Sequence, residues 1–136
     1  MLLKVVADLG QLSKIREFVS DSAAALAVDP EALDDLRLAV DEAVTNILTH
    51  GYDGSGEIEL ELSADGADLI VRLRDTAPPF DSTLVEPADP GPAEDREKPG
   101  GFGLFLIRSS MDKLVHRKLE NGNELTMIKC DVIDRI

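Results

Sequence analysis

The sequence has a single cysteine and no long apolar run, and each of these features excludes a class of protein. Cys130 is the only cysteine, so an intramolecular disulfide and a cysteine-based metal cluster are both excluded. No apolar run approaches the roughly 20 residues that a bilayer-spanning helix needs. Residues 1–8 are too short and too soon interrupted by charge to be a signal peptide, so we expect a cytoplasmic protein.

Positive charge is also scarce. The 14 lysines and arginines stand against 27 aspartates and glutamates, which gives a formal net charge of −13. Nucleic acids and anionic membranes both attract basic surfaces, so we expect neither as a direct partner. The acidic surface is either simply solvated or a docking face for a basic protein, and the composition leaves both interpretations open.

Hydrophobic periodicity predicts the first half of the fold. The 136 residues allow one domain, 1–136, with one core. Weak alternation predicts a strand over residues 2–7, and apolar residues at helical spacing predict a helix over 11–28. Asp29-Pro30 provides an N-cap and a first-turn proline for a second helix that ends near Gly51.

Two hairpins are predicted in the rest of the chain. Strands at 56–63 and 69–73 flank an Asp65-Gly66 turn, and strands at 114–119 and 124–132 flank Asn121-Gly122. Glutamates on one face of the first hairpin and aliphatic residues on the other predict a sheet with one solvated face. We therefore expect an α/β (α+β) two-layer sandwich, with a mixed, mostly antiparallel sheet and helices on one face.

The segment at about 76–100 breaks this periodicity. It contains every proline of the sequence except Pro30. A loop of this length in a small domain is either disordered or functional, and the functional interpretation is a lid that orders over a ligand. An apolar helix is predicted directly after it, over 103–111.

Three groups of residues have the chemistry of a binding site. Glu42 and Asn46 lie one turn apart on the same side of the second helix, and an asparagine oxygen suits a hard cation. Asp75 ends a strand, where a carboxylate can accept a hydrogen bond from an exocyclic amine. Gly101 and Gly103 precede a helix, whose N–H groups favour an anion. Each group alone also fits a purely structural role. The first fits the solvent face of a helix, the second a turn and the third an ordinary loop.

Taken together, the order and context of these groups resemble the ATP site of the GHKL, or Bergerat-fold, ATPases. That superfamily includes gyrase, histidine kinases and mismatch-repair ATPases. Residues 38–52, which begin LAVDEAVTN, are similar to the N box of the stand-alone serine-protein kinase anti-sigma factors. Residues 100–112, which begin GGFGLFLIR, are similar to their second glycine box. The resemblance covers nearly the whole chain.

This resemblance implies ATP and Mg²⁺ as cofactors and gives a role to each residue. Glu42 is expected to be the general base and Asn46 the Mg²⁺ ligand. Asp75 is expected to accept from the adenine amino group, with Thr126 on a closing strand supporting that contact. The other expected nucleotide-binding residues are Ala77, Gly101, Phe102, Gly103 and Leu104. Arg96 and Lys98 are the nearest lid cations for a γ-phosphate.

The activity that the resemblance implies is an ATP-dependent serine/threonine protein kinase acting as an anti-sigma factor. Such a protein phosphorylates a STAS-type anti-anti-sigma antagonist, sequesters a sigma factor and forms a homodimer. Ala77 stands where the first glycine box has glycine, and Pro78 and Pro79 follow it. This departure keeps open a non-catalytic or weakly ATP-binding regulatory module of the same fold. A sensor histidine kinase fragment ranks last, because neither His50 nor His116 lies in a phosphoacceptor helix pair.

Overall fold

Two α-helices lie on one face of a five-stranded sheet in the computed structural model, which describes residues 1–51, 56–77, 107 and 110–133. The elements are β1 (Leu2–Val6), a 3₁₀ turn (Leu9–Gln11), α1 (Leu12–Ala25), α2 (Pro30–Asn46), a π-helical turn (Ile47–Gly51), β2 (Glu57–Asp65), β3 (Asp68–Asp75), β4 (Lys113–Leu119) and β5 (Gly122–Lys129). Neither described α-helix is long and apolar enough to cross a bilayer.

The second helix begins where the sequence predicts. Asp29 Oδ1 accepts a hydrogen bond from the Glu31 backbone N–H at 3.0 Å, and Pro30 occupies the first helical position. The regular helix ends at Asn46, and one wider π-helical turn carries the chain to Gly51. The first helix is shorter than predicted, because Ala27 adopts a left-handed conformation with φ 61° and ends it.

The sheet has the strand order β1-β2-β3-β5-β4. Every pairing between the described strands is antiparallel, so the expected two-layer class is confirmed, while no parallel pair is present among these strands. The first hairpin turns at Gly66 with φ 63°. The second turns at Glu120-Asn121, one residue earlier than predicted, because Gly122 already pairs with Leu119.

Pairing register divides the strands into two faces. Leu60, Leu73 and Leu125 point towards the helices and are at most 6% exposed. Burying each such side chain contributes roughly 1.5–3 kcal/mol. On the outer face, the Arg74 guanidinium contacts Glu124 at 2.7 Å and Glu61 at 3.3 Å. The alternating glutamates of the sequence therefore line a charged outer face, as their pattern predicts.

Several predicted features lie outside the described residues. These are the lid at about 76–100 beyond Ala77, and most of the helix predicted over 103–111. Of the range 103–111, residues 107, 110 and 111 are described; Ile107 and Ser110 are helical, Met111 is not, and Ile107 and Met111 are buried in the core. The Met111 backbone N–H donates to the Ile107 carbonyl at 3.0 Å. Ile107 and Met111 therefore belong to the same core as α1 and α2.

Candidate functional site

A small cavity of about 20 Å³ lies between α2 and strands β3, β4 and β5. Its lining residues are Ala43, Asn46, Ile47, Asp75, Ile107, His116, Asn123 and Leu125. Four of these are polar, and each comes from a different element: α2, β3, β4 and β5. The volume has room for about one water molecule. Asn46 and Asp75, both singled out from the sequence, therefore meet at one place.

Asn46 occupies the last position of α2, directly before the helix widens into its π-helical turn. The residue is 9% exposed. No hydrogen bond joins its side-chain amide to another residue of the described ranges, and no buried polar side-chain atom in those ranges lacks a partner, so the amide is not fully enclosed. Asn46 lines the cavity, and a hard cation is a ligand that amide oxygens bind well.

Asp75 is the last residue of β3 and is 7% exposed. Its Oδ1 accepts hydrogen bonds from the Ala77 backbone N–H at 3.0 Å and from Asn123 Nδ2 at 2.9 Å. Burial raises the pKa of this carboxyl group; the two hydrogen bonds and nearby His116 oppose that rise without cancelling it. Asp75 is therefore a carboxylate held in an environment that disfavours its charge, as functional carboxylates often are.

Sequence reasoning missed three residues around Asp75. Asn123 lies directly across from it in the β3–β5 register, and Asn123 Oδ1 is 3.0 Å from His116 Nε2. A Cβ atom on Gly122 would lie 1.7 Å from the Asp75 carbonyl oxygen, so only glycine fits there. The alternation of β4 and β5 was visible in the sequence, but the pairing of β5 with β3 was not.

Thr126 lies on the other face of β5. Its register neighbours are Arg72 on β3 and Val115 on β4, which is 56% exposed. Because side chains alternate along a strand, Thr126 points away from the face that carries Asp75 and Asn123. The structure therefore does not bring Thr126 to the cavity. The residue of β5 that contacts Asp75 is Asn123, and the adenine contact expected of Thr126 stays a prediction.

Glu42 is half-buried, one turn before Asn46 on α2, but it does not line the cavity. The pKa of Glu42 is raised, mainly because the carboxyl group is partly buried and to a smaller extent because the Asp41 carboxylate lies beside it. Asp41 is itself paired with Arg16, whose Nε is 2.9 Å from Oδ2. A raised pKa makes the ionised Glu42 a stronger proton acceptor, which suits a general base.

Comparison with known proteins identifies the family. A family model for the histidine kinase-like ATPase domain matches residues 5–129, which is most of the chain. This chain belongs to the histidine kinase-like ATPase domain family. The serine-protein kinase RsbW of Listeria monocytogenes is 36% identical over 127 residues, which cover 89% of this chain and 77% of that protein.

Solved structures that are similar to this chain support the fold expected for the family. The histidine kinase domain of a blue-light activated kinase from Erythrobacter litoralis has a TM-score of 0.58 at 17% identity, over 90% of this chain and 60% of that one. The RsbU and RsbW domains of a Mycobacterium tuberculosis protein give 0.63 at 15% identity, over 96% of this chain and 32% of that one. The chain thus spans less than two thirds of these two structures, and at such identities they support the fold alone.

Several residues that the histidine kinase-like ATPase resemblance singles out lie outside the described part of the chain. They are the side chain of His50 and the residues Arg96, Lys98, Gly101, Phe102, Gly103 and Leu104. Their roles stay predictions. Ala77 is described: it is 3% exposed, and its backbone N–H and C=O contact Asp75 and Asn123 respectively.

Proposed function

We propose that this protein is an ATP- and Mg²⁺-dependent serine/threonine protein kinase that acts as an anti-sigma factor. It phosphorylates a STAS-type anti-anti-sigma antagonist, sequesters a sigma factor, and works in the cytoplasm as a homodimer. The observation that carries the proposal is the meeting of Asn46 and Asp75 at one buried cavity in a chain of the histidine kinase-like ATPase family.

The two residues suit the two ends of a nucleotide. Asp75 has a carboxylate oxygen to accept from the exocyclic amine of adenine, in a buried position where a hydrogen bond to charge is strong. Asn46 is 9% exposed and lines the same cavity, and its side-chain oxygen would hold Mg²⁺. When bound, Mg²⁺ supplies neutralisation of phosphate charge, which is most of what phosphoryl transfer requires.

Protein phosphorylation, rather than nucleotide binding alone, is supported by two observations. Curated relatives at 36% identity carry the name serine-protein kinase. Glu42 lies one turn from Asn46 and has a raised pKa, which supports the proposal that it takes the proton from an incoming serine or threonine hydroxyl. Its partial burial keeps that carboxylate less solvated than a surface glutamate and hence more basic.

A second function, a regulatory binding module without catalysis, is favoured by two features of the same site. Ala77 replaces the glycine of the family motif, and its side chain is buried. The cavity of about 20 Å³ accommodates a water molecule rather than a purine, so a nucleotide enters only if the cavity widens.

A phosphate-transfer assay separates the two functions. The protein is incubated with γ-labelled ATP, Mg²⁺ and a candidate STAS-type antagonist, alongside Glu42→Gln and the control Glu17→Gln on the exposed side of α1. A kinase labels the antagonist with wild type and Glu17→Gln, and loses most of the label with Glu42→Gln. Tight antagonist or sigma-factor binding without any transferred label would instead establish the regulatory module.

A further inference from the structure

A chain of hydrogen bonds runs across three strands beside the cavity. His116 Nε2 lies 3.0 Å from Asn123 Oδ1, and Asn123 Nδ2 donates to Asp75 Oδ1 at 2.9 Å. Asn123 is 3% exposed and Asp75 is 7% exposed, so the central bond is shielded from water. All three residues line the cavity.

The orientation of the Asn123 amide follows from its neighbours. Besides Asp75, the Ala77 carbonyl oxygen lies 3.3 Å from Asn123 Nδ2, and a carbonyl can only accept. The amide nitrogen therefore points to Asp75 and Ala77, and the amide oxygen points to His116. Because that oxygen can only accept, His116 must carry its proton on Nε2.

The consequence for Asp75 is an unequal use of its two oxygens. Oδ1 receives both the Asn123 amide and the Ala77 backbone N–H. From the described residues, hydrogen bonds reach only this oxygen. Oδ2 is left as an acceptor, and a carboxylate fixed at one oxygen presents the other in one direction.

We propose that Asn123 is the positioning residue that sets the base specificity of this site, with His116 fixing the direction of its amide. The inference rests on the proposed nucleotide binding. A fixed, acceptor-only oxygen selects a base whose edge carries an amino group and rejects one whose edge carries a carbonyl oxygen. ATP and inosine triphosphate differ at that group, and they are the probes for this inference.

The test measures selectivity rather than affinity. Calorimetry gives the dissociation constants of ATP and inosine triphosphate, each with Mg²⁺, for wild type, Asn123→Ala, His116→Phe and His116→Gln. Val115→Ala is the control, since it adjoins His116 on β4 but lies 56% exposed on the outer face. If Asn123 has only a structural role, Asn123→Ala weakens the binding of both nucleotides equally and leaves the ratio of their dissociation constants unchanged.

We expect wild type and Val115→Ala to bind ATP roughly tenfold to hundredfold more tightly than inosine triphosphate, because that is the contribution of one hydrogen bond to a charged group. Asn123→Ala and His116→Phe should each reduce that preference by roughly threefold to tenfold. His116→Gln should keep it, because the glutamine amide places an N–H donor near the position of Nε2. Circular dichroism checks that each variant is folded.

The contradicting outcomes separate the two proposals. Wild type that binds no nucleotide overturns the proposed function and this inference with it. Wild type that prefers ATP, with the same preference in Asn123→Ala and His116→Phe, overturns the inference and leaves the function standing. Should Asn123→Ala fail to fold, the His116→Phe and His116→Gln pair decides the outcome, because both keep Asn123.

Discussion

Replacing Asp75 with asparagine separates ligand recognition from stability at this site. The new side chain keeps an oxygen where Ala77 and Asn123 donate to Oδ1, so its amide nitrogen takes the place of Oδ2. A donor then faces the amino group of adenine, which is also a donor. The fold should survive, because Asp75→Asn preserves both observed hydrogen bonds.

The expected loss of ATP affinity follows from the bond that disappears. A hydrogen bond to a charged group contributes about 1.5–3 kcal/mol, which corresponds to a roughly tenfold to hundredfold weaker complex. Inosine triphosphate should not lose affinity for Asp75→Asn, since the new amide can donate to its carbonyl oxygen. Calorimetry with both nucleotides measures the two effects, and an unchanged ATP affinity would refute the assignment of Asp75.

Asp75→Asn should lower ATP affinity, but it should raise the free energy of unfolding at neutral pH. Because burial raises the pKa of Asp75, the folded protein binds this proton more tightly than the unfolded chain, whose value is 3.8. The stabilisation that comes from this tighter proton binding is fully present below pH 3.8. It is lost as the pH rises through the pKa that Asp75 has in the folded protein. Asp75→Asn has no such loss, so urea unfolding should show its advantage over wild type growing across that window. A variant less stable than wild type at pH 7 would contradict this reasoning.

Three further variants probe other parts of the site. Asn46→Ala should abolish Mg²⁺-dependent nucleotide binding in calorimetry; unchanged affinity would remove the metal assignment. Thr126→Val should change ATP affinity by about twofold at most, because Thr126 lies on the outer face; a large loss would restore Thr126 to the site. Ala77→Gly should lower the free energy of unfolding by about 1 kcal/mol, through a lost buried methyl and a freer backbone; an unchanged denaturation midpoint would contradict this.

Much of the fold was predictable because local signals in the sequence agree with the tertiary structure. Asp29 and Pro30 set the start of α2 by bonds within one turn. The Asp65-Gly66 signal placed the first hairpin, and Gly66 does adopt a positive φ. The end of α1 was misplaced, since nothing in the composition shows that Ala27 leaves the helical conformation.

The site was only half predictable, because its polar contacts depend on which strands become neighbours. Asn46 and Asp75 each belong to a motif that is readable along the chain. Asn123 and His116 acquire their roles through the β3–β5 pairing, which no local pattern specifies, and through the β4–β5 register, which the Asn121-Gly122 signal misplaces by one residue. Thr126 was assigned by resemblance, and the alternation of β5 puts it on the opposite face.

The central claim is that Asn46 and Asp75 form the two ends of one nucleotide site, and a titration of the protein with ATP tests it most directly. With Mg²⁺ we predict saturable binding of one nucleotide per chain. Binding should be lost in Asn46→Ala, weakened roughly tenfold or more in Asp75→Asn, and unchanged in Glu17→Gln. Absence of binding to wild type, or equal binding to all four proteins, would contradict the account.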